Sequence, residues 1–157
     1  MGIEIERKFL VKSDVFKKQS YQKNYIKQGY LNSDKNRTVR IRILDDRAFL
    51  TIKGKSNVSG TSRFEWEKEI MLDDAKSLFL LCEDGSIEKT RYLIKQGQHI
   101  FEVDDFHGDN DGLMIAEIEL FSENELFEKP DWLGKEVTGE LKYYNSSISK
   151  NPFKNWK

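Results

Sequence analysis

In the stretch Ile3-Glu4-Ile5-Glu6-Arg7-Lys8-Phe9, apolar and charged side chains alternate at every position but Arg7. Successive side chains of a β-strand point to opposite faces. Glu4, Glu6 and Lys8 therefore share one face, and Ile3, Ile5 and Phe9 share the other. The polar face of a half-exposed strand usually mixes residue types. Here every polar-face residue is charged.

The same signature recurs along the chain. Period-two alternation predicts strands over 2–11, 24–31, 37–45, 47–54, 62–71, 87–95, 98–106 and 113–121. Arg40 and Arg42 oppose Val39, Ile41 and Ile43, and Thr51 and Lys53 oppose Leu50 and Ile52. Arg63, Glu65, Glu67 and Glu69 oppose Phe64, Trp66 and Ile70. Lys89 and Arg91 share a face, Glu102 and Asp104 oppose Phe101 and Val103, and Glu117 and Glu119 oppose Ala116, Ile118 and Leu120. Asp45-Asp46, Gln96-Gly97 and the run Gly108 to Gly112 read as hairpin turns, which implies antiparallel pairing. Lys55 to Ser62 reads as a flexible loop.

Three short helices are expected. Ser13 would cap one over Asp14–Ser20. Asp73 would cap a second through about Cys82, with Leu78, Leu81 and Cys82 on its apolar face. Ser122–Leu126 would form the third. The tail after Gly139 holds at most one more. No linker or repeat interrupts the chain, so one domain over 1–157 is expected.

Two architectures accommodate charged strand faces: an antiparallel sheet whose charged face is solvated, and a closed barrel with a charged lumen and an apolar outside covered by helices. Closure removes exposed strand edges. A lumen holding both signs needs partners, because unpaired buried charge is costly. A polyanion bound together with divalent metal would satisfy both sets.

The 157 residues carry a net charge of −1, and 34% of them are charged, against about 25% in an average soluble protein. Residues 1–72 hold 16 Lys+Arg and 9 Asp+Glu, and residues 73–157 hold 10 and 18, so the halves carry +7 and −8. Near-neutrality argues against a nucleic-acid binder. No apolar run approaches the ~20 residues of a membrane span. Charge from Glu4 onward does not suit a signal peptide, and Glu6 stands where a myristoylation motif wants Ser or Thr. The single cysteine, Cys82, excludes an internal disulfide and is expected to be a buried thiol. A cytoplasmic location without membrane or nucleic-acid partners is the expectation.

Several motifs fail. Phe49 stands where a P-loop ending in Gly54-Lys55-Ser56 needs glycine. His107 and Ile118 replace the acids of an EF-hand loop around Asp109 and Asp111. His99 and His107 make no zinc spacing and are expected at the surface. No nucleophile triad can be assembled.

The E-x-E-x-K run Glu4 to Lys8 is followed in order by Gln28-Gly29-Tyr30-Leu31, Val39-Arg40-Ile41-Arg42, Thr51-Ile52-Lys53-Gly54 and Arg63-Phe64-Glu65-Trp66-Glu67. Then come Glu88-Lys89-Thr90-Arg91-Tyr92, Glu102-Val103-Asp104, Ala116-Glu117-Ile118-Glu119 and Val137 to Tyr143. This ordered set resembles the CYTH family, the triphosphate tunnel metalloenzymes, and in particular its short bacterial members. The resemblance implies an eight-stranded antiparallel β-barrel, mainly β with a few flanking helices, that hydrolyses or converts triphosphates with Mg²⁺ or Mn²⁺. It assigns metal binding to Glu4, Glu6, Glu117 and Glu119, with Asp104 assisting a metal or a water. It assigns phosphate binding to Lys8, Arg40, Arg42, Lys53, Arg91 and Lys142, and further to Lys89 and Arg63. It implies proton transfer by Lys8 with Tyr30. Lys142 departs from the arginine frequent at its position, which loses bidentate geometry.

The expected function is metal-dependent hydrolysis of tripolyphosphate or a related triphosphate. An adenylate cyclase using the same tunnel and a non-catalytic polyphosphate or phosphate-metabolite binder are the alternatives. A small-ligand carrier barrel would have an apolar lumen. Four glutamates would repel a polyanion unless a cation intervened, so strict divalent-ion dependence is expected.

Overall fold

The computed structural model describes residues 2–156. It contains strands β1 (Gly2–Val11), β2 (Gln22–Asn32), β3 (Arg37–Leu44), β4 (Arg47–Gly54), β5 (Ser62–Ile70), β6 (Ile87–Gln96), β7 (His99–Phe106), β8 (Met114–Glu119) and β9 (Leu133–Glu136). Its α-helices are α1 (Phe16–Gln19), α2 (Leu72–Phe79) and α3 (Asn145–Lys150). The eight expected strands all form, with ends shifted by at most two residues.

The strand order is β5-β4-β3-β2-β6-β7-β8-β1, every pairing is antiparallel, and β1 returns to β5 to close the barrel. The closing seam is short: Gly2 to Ile5 pair with Ser62 to Glu65. Beyond it β5 diverges, and β9, which the alternation does not reveal, pairs with β1 at Phe9 and Val11. Gly134 permits that approach, since a Cβ there would lie 2.9 Å from the Leu10 carbonyl oxygen.

The apolar faces point outward and are covered in patches. Phe16 of α1 is fully buried and meets Trp132 and Tyr92 at ring-centroid distances of 5.7 and 5.5 Å. Phe9, Phe101, Val103 and Ile118 complete that cluster. On the wall formed by β3 and β4, Ile41 and Ala48 pack with Ala75 of α2. Gly29 leaves room for Cys82 and Phe79, whose atoms lie 3.1 and 3.3 Å from where its Cβ would be.

The inward faces change character along the barrel. Lys89, Asp104 and Glu117 point into the interior. Two residues away on the same faces lie Ile87, Phe106 and Ile115, which pack with Leu113 and with Ile148 of α3. The C-terminal segment thus closes one end of the barrel with an apolar plug.

Some local expectations are corrected. Neither Ser13 nor Asp73 caps a helix: the residues preceding α1 and α2 are Val15 and Met71, without side-chain caps. Helix α2 ends at Phe79, which leaves Leu81 72% exposed rather than on the packed face. No helix forms over 122–126. Instead the Glu125 carboxylate accepts the Phe121 N–H and pairs with His99. Both histidines are half-buried: His107 hydrogen-bonds Thr90 Oγ1 at 2.7 Å. Cys82 is a free, half-buried thiol rather than a fully buried one. Among the described residues, no helix is long and apolar enough to cross a membrane.

Candidate active site

The charged faces of the strands converge on one cavity of about 190 Å³ inside the barrel. Six cations line it: Lys8, Arg40, Arg42, Lys53, Arg63 and Arg91. Seven carboxylates line it as well: Glu4, Glu6, Glu65, Glu67, Glu102, Glu117 and Glu119. Strand register determines how they meet, because directly opposed residues share a face.

Glu4 is opposite Arg63, Lys8 opposite Glu117, and Lys53 opposite Glu65. Lys53 Nζ lies 2.9 Å from Glu4 Oε1 and 3.6 Å from Glu65. Lys8 Nζ lies 3.5 Å from Glu117 Oε2, donates to the Tyr143 carbonyl at 3.1 Å, and sits 5.1 Å from the centre of the Tyr144 ring. Arg40 donates to Thr51 Oγ1 at 3.2 Å and lies 3.7 Å from Glu67. Arg42 Nε donates to Gln28 Oε1 at 3.0 Å.

Pairing is incomplete on both sides. Arg40 Nε and Arg63 Nη1 are buried donors with no acceptor among the described residues. Buried donors are nearly always satisfied, so an acceptor is expected at these two atoms. On the acidic side, Glu6 faces Glu119 directly across the β1–β8 ladder. Neither carboxylate has an ion-pair or hydrogen-bond partner among the described residues.

Burial, and then the nearby Glu117 and Glu4, push the Glu6 carboxyl up to about 8. Burial and the other carboxylates also raise Glu119. At Glu117, burial works the same way but Lys8 and Arg91 outweigh it and hold the group down to about 2. Burial, followed by Arg40 and Arg91, lowers the Arg42 guanidinium to about 9.

Three expected site residues lie elsewhere. Asp104, 3% exposed, is absent from the cavity lining and receives Arg91 Nε and Nη2 at 2.8 and 2.9 Å and Lys89 Nζ at 2.7 Å. Both of its oxygens are engaged by cations. Lys89 is fully buried beneath the lumen and bound to Asp104 and to Asn145 Oδ1, so it does not reach the cavity. Lys142 is outside the barrel, with its ammonium 4.3 Å from the centre of the Trp156 ring. Tyr30 is 4% exposed and lines the cavity, but Lys8 bonds to Tyr143 and not to it.

Some lining residues were missed as site candidates. Glu65, Glu67, Thr51 and Glu102 were legible, since each continues an inward face by steps of two. Asn145 and Ser146 enter from α3, whose sequence Asn-Ser-Ser-Ile-Ser-Lys carries no such signal.

The family resemblance implies a divalent metal, and the donor set fits one in kind. Glu4, Glu6, Glu117 and Glu119 offer hard oxygen ligands, which suit Mg²⁺ or Mn²⁺. The raised Glu6 and Glu119 mark a place where a cation would relieve repulsion. The four do not converge into a three-ligand cluster among the described residues.

A CYTH domain model matches residues 2–151. An inorganic triphosphatase of Acetivibrio thermocellus is 48% identical over 158 aligned positions, covering 100% of this chain and 99% of the relative. One from Nitrosomonas europaea is 36% identical over 151 positions, covering 93% and 96%. A solved crystal structure of an inorganic triphosphatase superposes with a TM-score of 0.66 at 32% identity, covering 93% of this chain and 97% of that one.

Proposed function

Because this chain belongs to the CYTH family, we propose that it is a divalent-metal-dependent triphosphatase that hydrolyses inorganic triphosphate in the barrel lumen. The names of its full-length relatives support the activity. The observation that carries the reading is the paired deficit in the lumen: among the described residues, buried arginine donors without acceptors, and opposed glutamates without cations. A polyphosphate with a divalent ion supplies what each set lacks.

Arg40, Arg42, Arg63, Arg91, Lys8 and Lys53 would bind phosphate oxygens. Arginine forks suit phosphate geometry, while the lysines act as point charges. Glu6 and Glu119, flanked by Glu4 and Glu117, would hold Mg²⁺ or Mn²⁺. When bound, such an ion would neutralise phosphate charge and supply Lewis acidity. In the hydrolysis, water adds to a terminal phosphorus as the bond to its bridging oxygen breaks, giving phosphate and pyrophosphate. This chemistry rests on positioning and charge stabilisation. Lys8 and Tyr30, which both line the cavity, would pass a proton. Lys89 and Asp104 hold Arg91 in its orientation.

The test is purified protein with Mg²⁺ or Mn²⁺ on tripolyphosphate, ATP, thiamine triphosphate and long-chain polyphosphate. Expected is free phosphate from tripolyphosphate, abolished by excess EDTA and by Glu119→Ala. Cyclic AMP with pyrophosphate from ATP, or tight binding without turnover, would overturn the proposal.

A further inference from the structure

A belt of hydrogen-bonded side chains runs across the floor of the lumen, and its central member comes from the C-terminal segment. Arg42 Nε donates to Gln28 Oε1 at 3.0 Å. Gln28 Nε2 donates to Asn145 Oδ1 at 3.0 Å, and Lys89 Nζ donates to the same oxygen at 2.9 Å. Lys89 continues to Asp104 at 2.7 Å, and Asp104 receives Arg91. Both ends of the belt, Arg42 and Arg91, line the cavity.

The orientation of both amides follows from chemistry. Arginine and lysine only donate. Arg42 therefore fixes the Gln28 oxygen toward itself and turns the Gln28 amide nitrogen toward Asn145. Lys89 and Gln28 together fix the Asn145 oxygen. The Asn145 NH₂ group must then point away from both, and it has no acceptor among the described residues. Asn145 lines the cavity, so two donors are presented to the lumen floor by an amide that cannot flip without breaking two hydrogen bonds.

We propose that Asn145 is a substrate-binding residue whose NH₂ group donates to phosphate oxygens at the closed end of the lumen. The C-terminal segment is then part of the substrate site as well as its plug. The inference takes its ligand, a polyphosphate, from the triphosphatase reading. It adds a neutral donor beside Arg42 and Arg91, where a further cation would face an Arg42 already crowded by Arg40 and Arg91.

Two substitutions separate donation from packing. Asn145→Ala removes donor and acceptor. Asn145→Asp keeps an oxygen for Gln28 and Lys89, so it preserves the belt, but it turns the second position from donor to anion. Calorimetry with Mg²⁺-loaded protein and pyrophosphate gives the affinity without turnover, and tripolyphosphate hydrolysis gives KM and kcat. Expected is about a tenfold weaker pyrophosphate Kd for Asn145→Ala, on the scale of one hydrogen bond to a charged group. Asn145→Asp should bind more weakly still while unfolding no lower than wild type. An Asn145→Asp affinity within twofold of wild type overturns the inference, because a merely structural amide is replaced well by a carboxylate. If wild type binds pyrophosphate but leaves tripolyphosphate intact, the triphosphatase reading fails and the affinity series still decides the role of Asn145. If wild type binds neither anion, both fail.

Discussion

Glu6 on β1 stands directly opposite Glu119 on β8, and neither carboxylate meets a cation among the described residues. Burial and the nearby Glu117 and Glu4 raise the Glu6 carboxyl to about 8, and burial with Glu4 and Glu102 raises Glu119. Holding these two carboxyls in the lumen therefore costs stability in the metal-free protein, and a divalent cation would relieve that cost.

Glu6→Gln is accordingly expected to raise the melting temperature of the metal-free protein, by roughly 2–4 °C for each 1 kcal/mol relieved. It should also lower triphosphatase turnover by roughly a hundredfold or more, the scale of a lost metal contribution. Added Mg²⁺ or Mn²⁺ should stabilise wild type much more than the variant, since a ligand stabilises only the state that binds it. Scanning calorimetry with and without metal, alongside phosphate release, checks this. A variant less stable than wild type without metal contradicts the argument.

Much of this site is legible in the sequence because strand alternation fixes faces. Lys8, Arg40, Lys53 and Glu117 can be placed on an inner face from spacing alone once the barrel is accepted. Depth along the lumen is not legible. Lys89 and Arg91 share a face two residues apart, yet only Arg91 lines the cavity, because Asn145 and Ile148 of α3 lie across the floor. The position of α3 depends on long-range packing, and no local periodicity signals it. The outward position of Lys142 is not legible for a related reason: it lies in a single 3₁₀ turn, Leu141–Tyr143, where no strand rule applies, and its ammonium stacks on Trp156.

That outward placement makes Lys142 and Arg40 a contrasting pair. Lys142→Ala removes an exposed cation from over an indole ring, and the KM for tripolyphosphate should stay within about twofold, because surface charges contribute little. Arg40→Ala removes a buried guanidinium whose Nε has no acceptor among the described residues. It should raise KM or lower kcat/KM by about tenfold or more, the scale of a hydrogen bond to a charged group. Steady-state kinetics on the two variants decides the matter. A large KM effect at Lys142 would place its ammonium on the substrate.

Asp104 distinguishes an anchor from a ligand. Its two oxygens receive Arg91 and Lys89 in a buried setting. Breaking a buried ion pair from one side leaves charge uncompensated, at about 3–5 kcal/mol. Asp104→Asn is expected to lower unfolding stability on that scale, measured by denaturant titration at neutral pH. Divalent-ion affinity should change by less than about threefold, whereas Glu119→Gln should weaken it by about tenfold or more. A metal affinity lost in Asp104→Asn with stability intact would restore Asp104 to the ligand set.

Lys89 introduces a pH dependence whose sign can be assigned. Burial lowers its ammonium to about 7, although Asp104 pulls the other way. In the unfolded chain a lysine titrates near 10.4. Between pH 7 and that value the unfolded state holds a proton that the native state has released, so the contribution of Lys89 to stability rises with pH. Below pH 7 both states are protonated and the full cost of the buried charge is present. Lys89→Met preserves length and apolar bulk but cannot titrate, and Asp104 keeps its two bonds from Arg91. The stability difference, wild type minus Lys89→Met, should therefore increase from pH 7 to pH 9 and level off below pH 6. Denaturant unfolding of both proteins across that range tests it, and a difference that is flat or falls with pH would show that Lys89 stays charged in the native barrel.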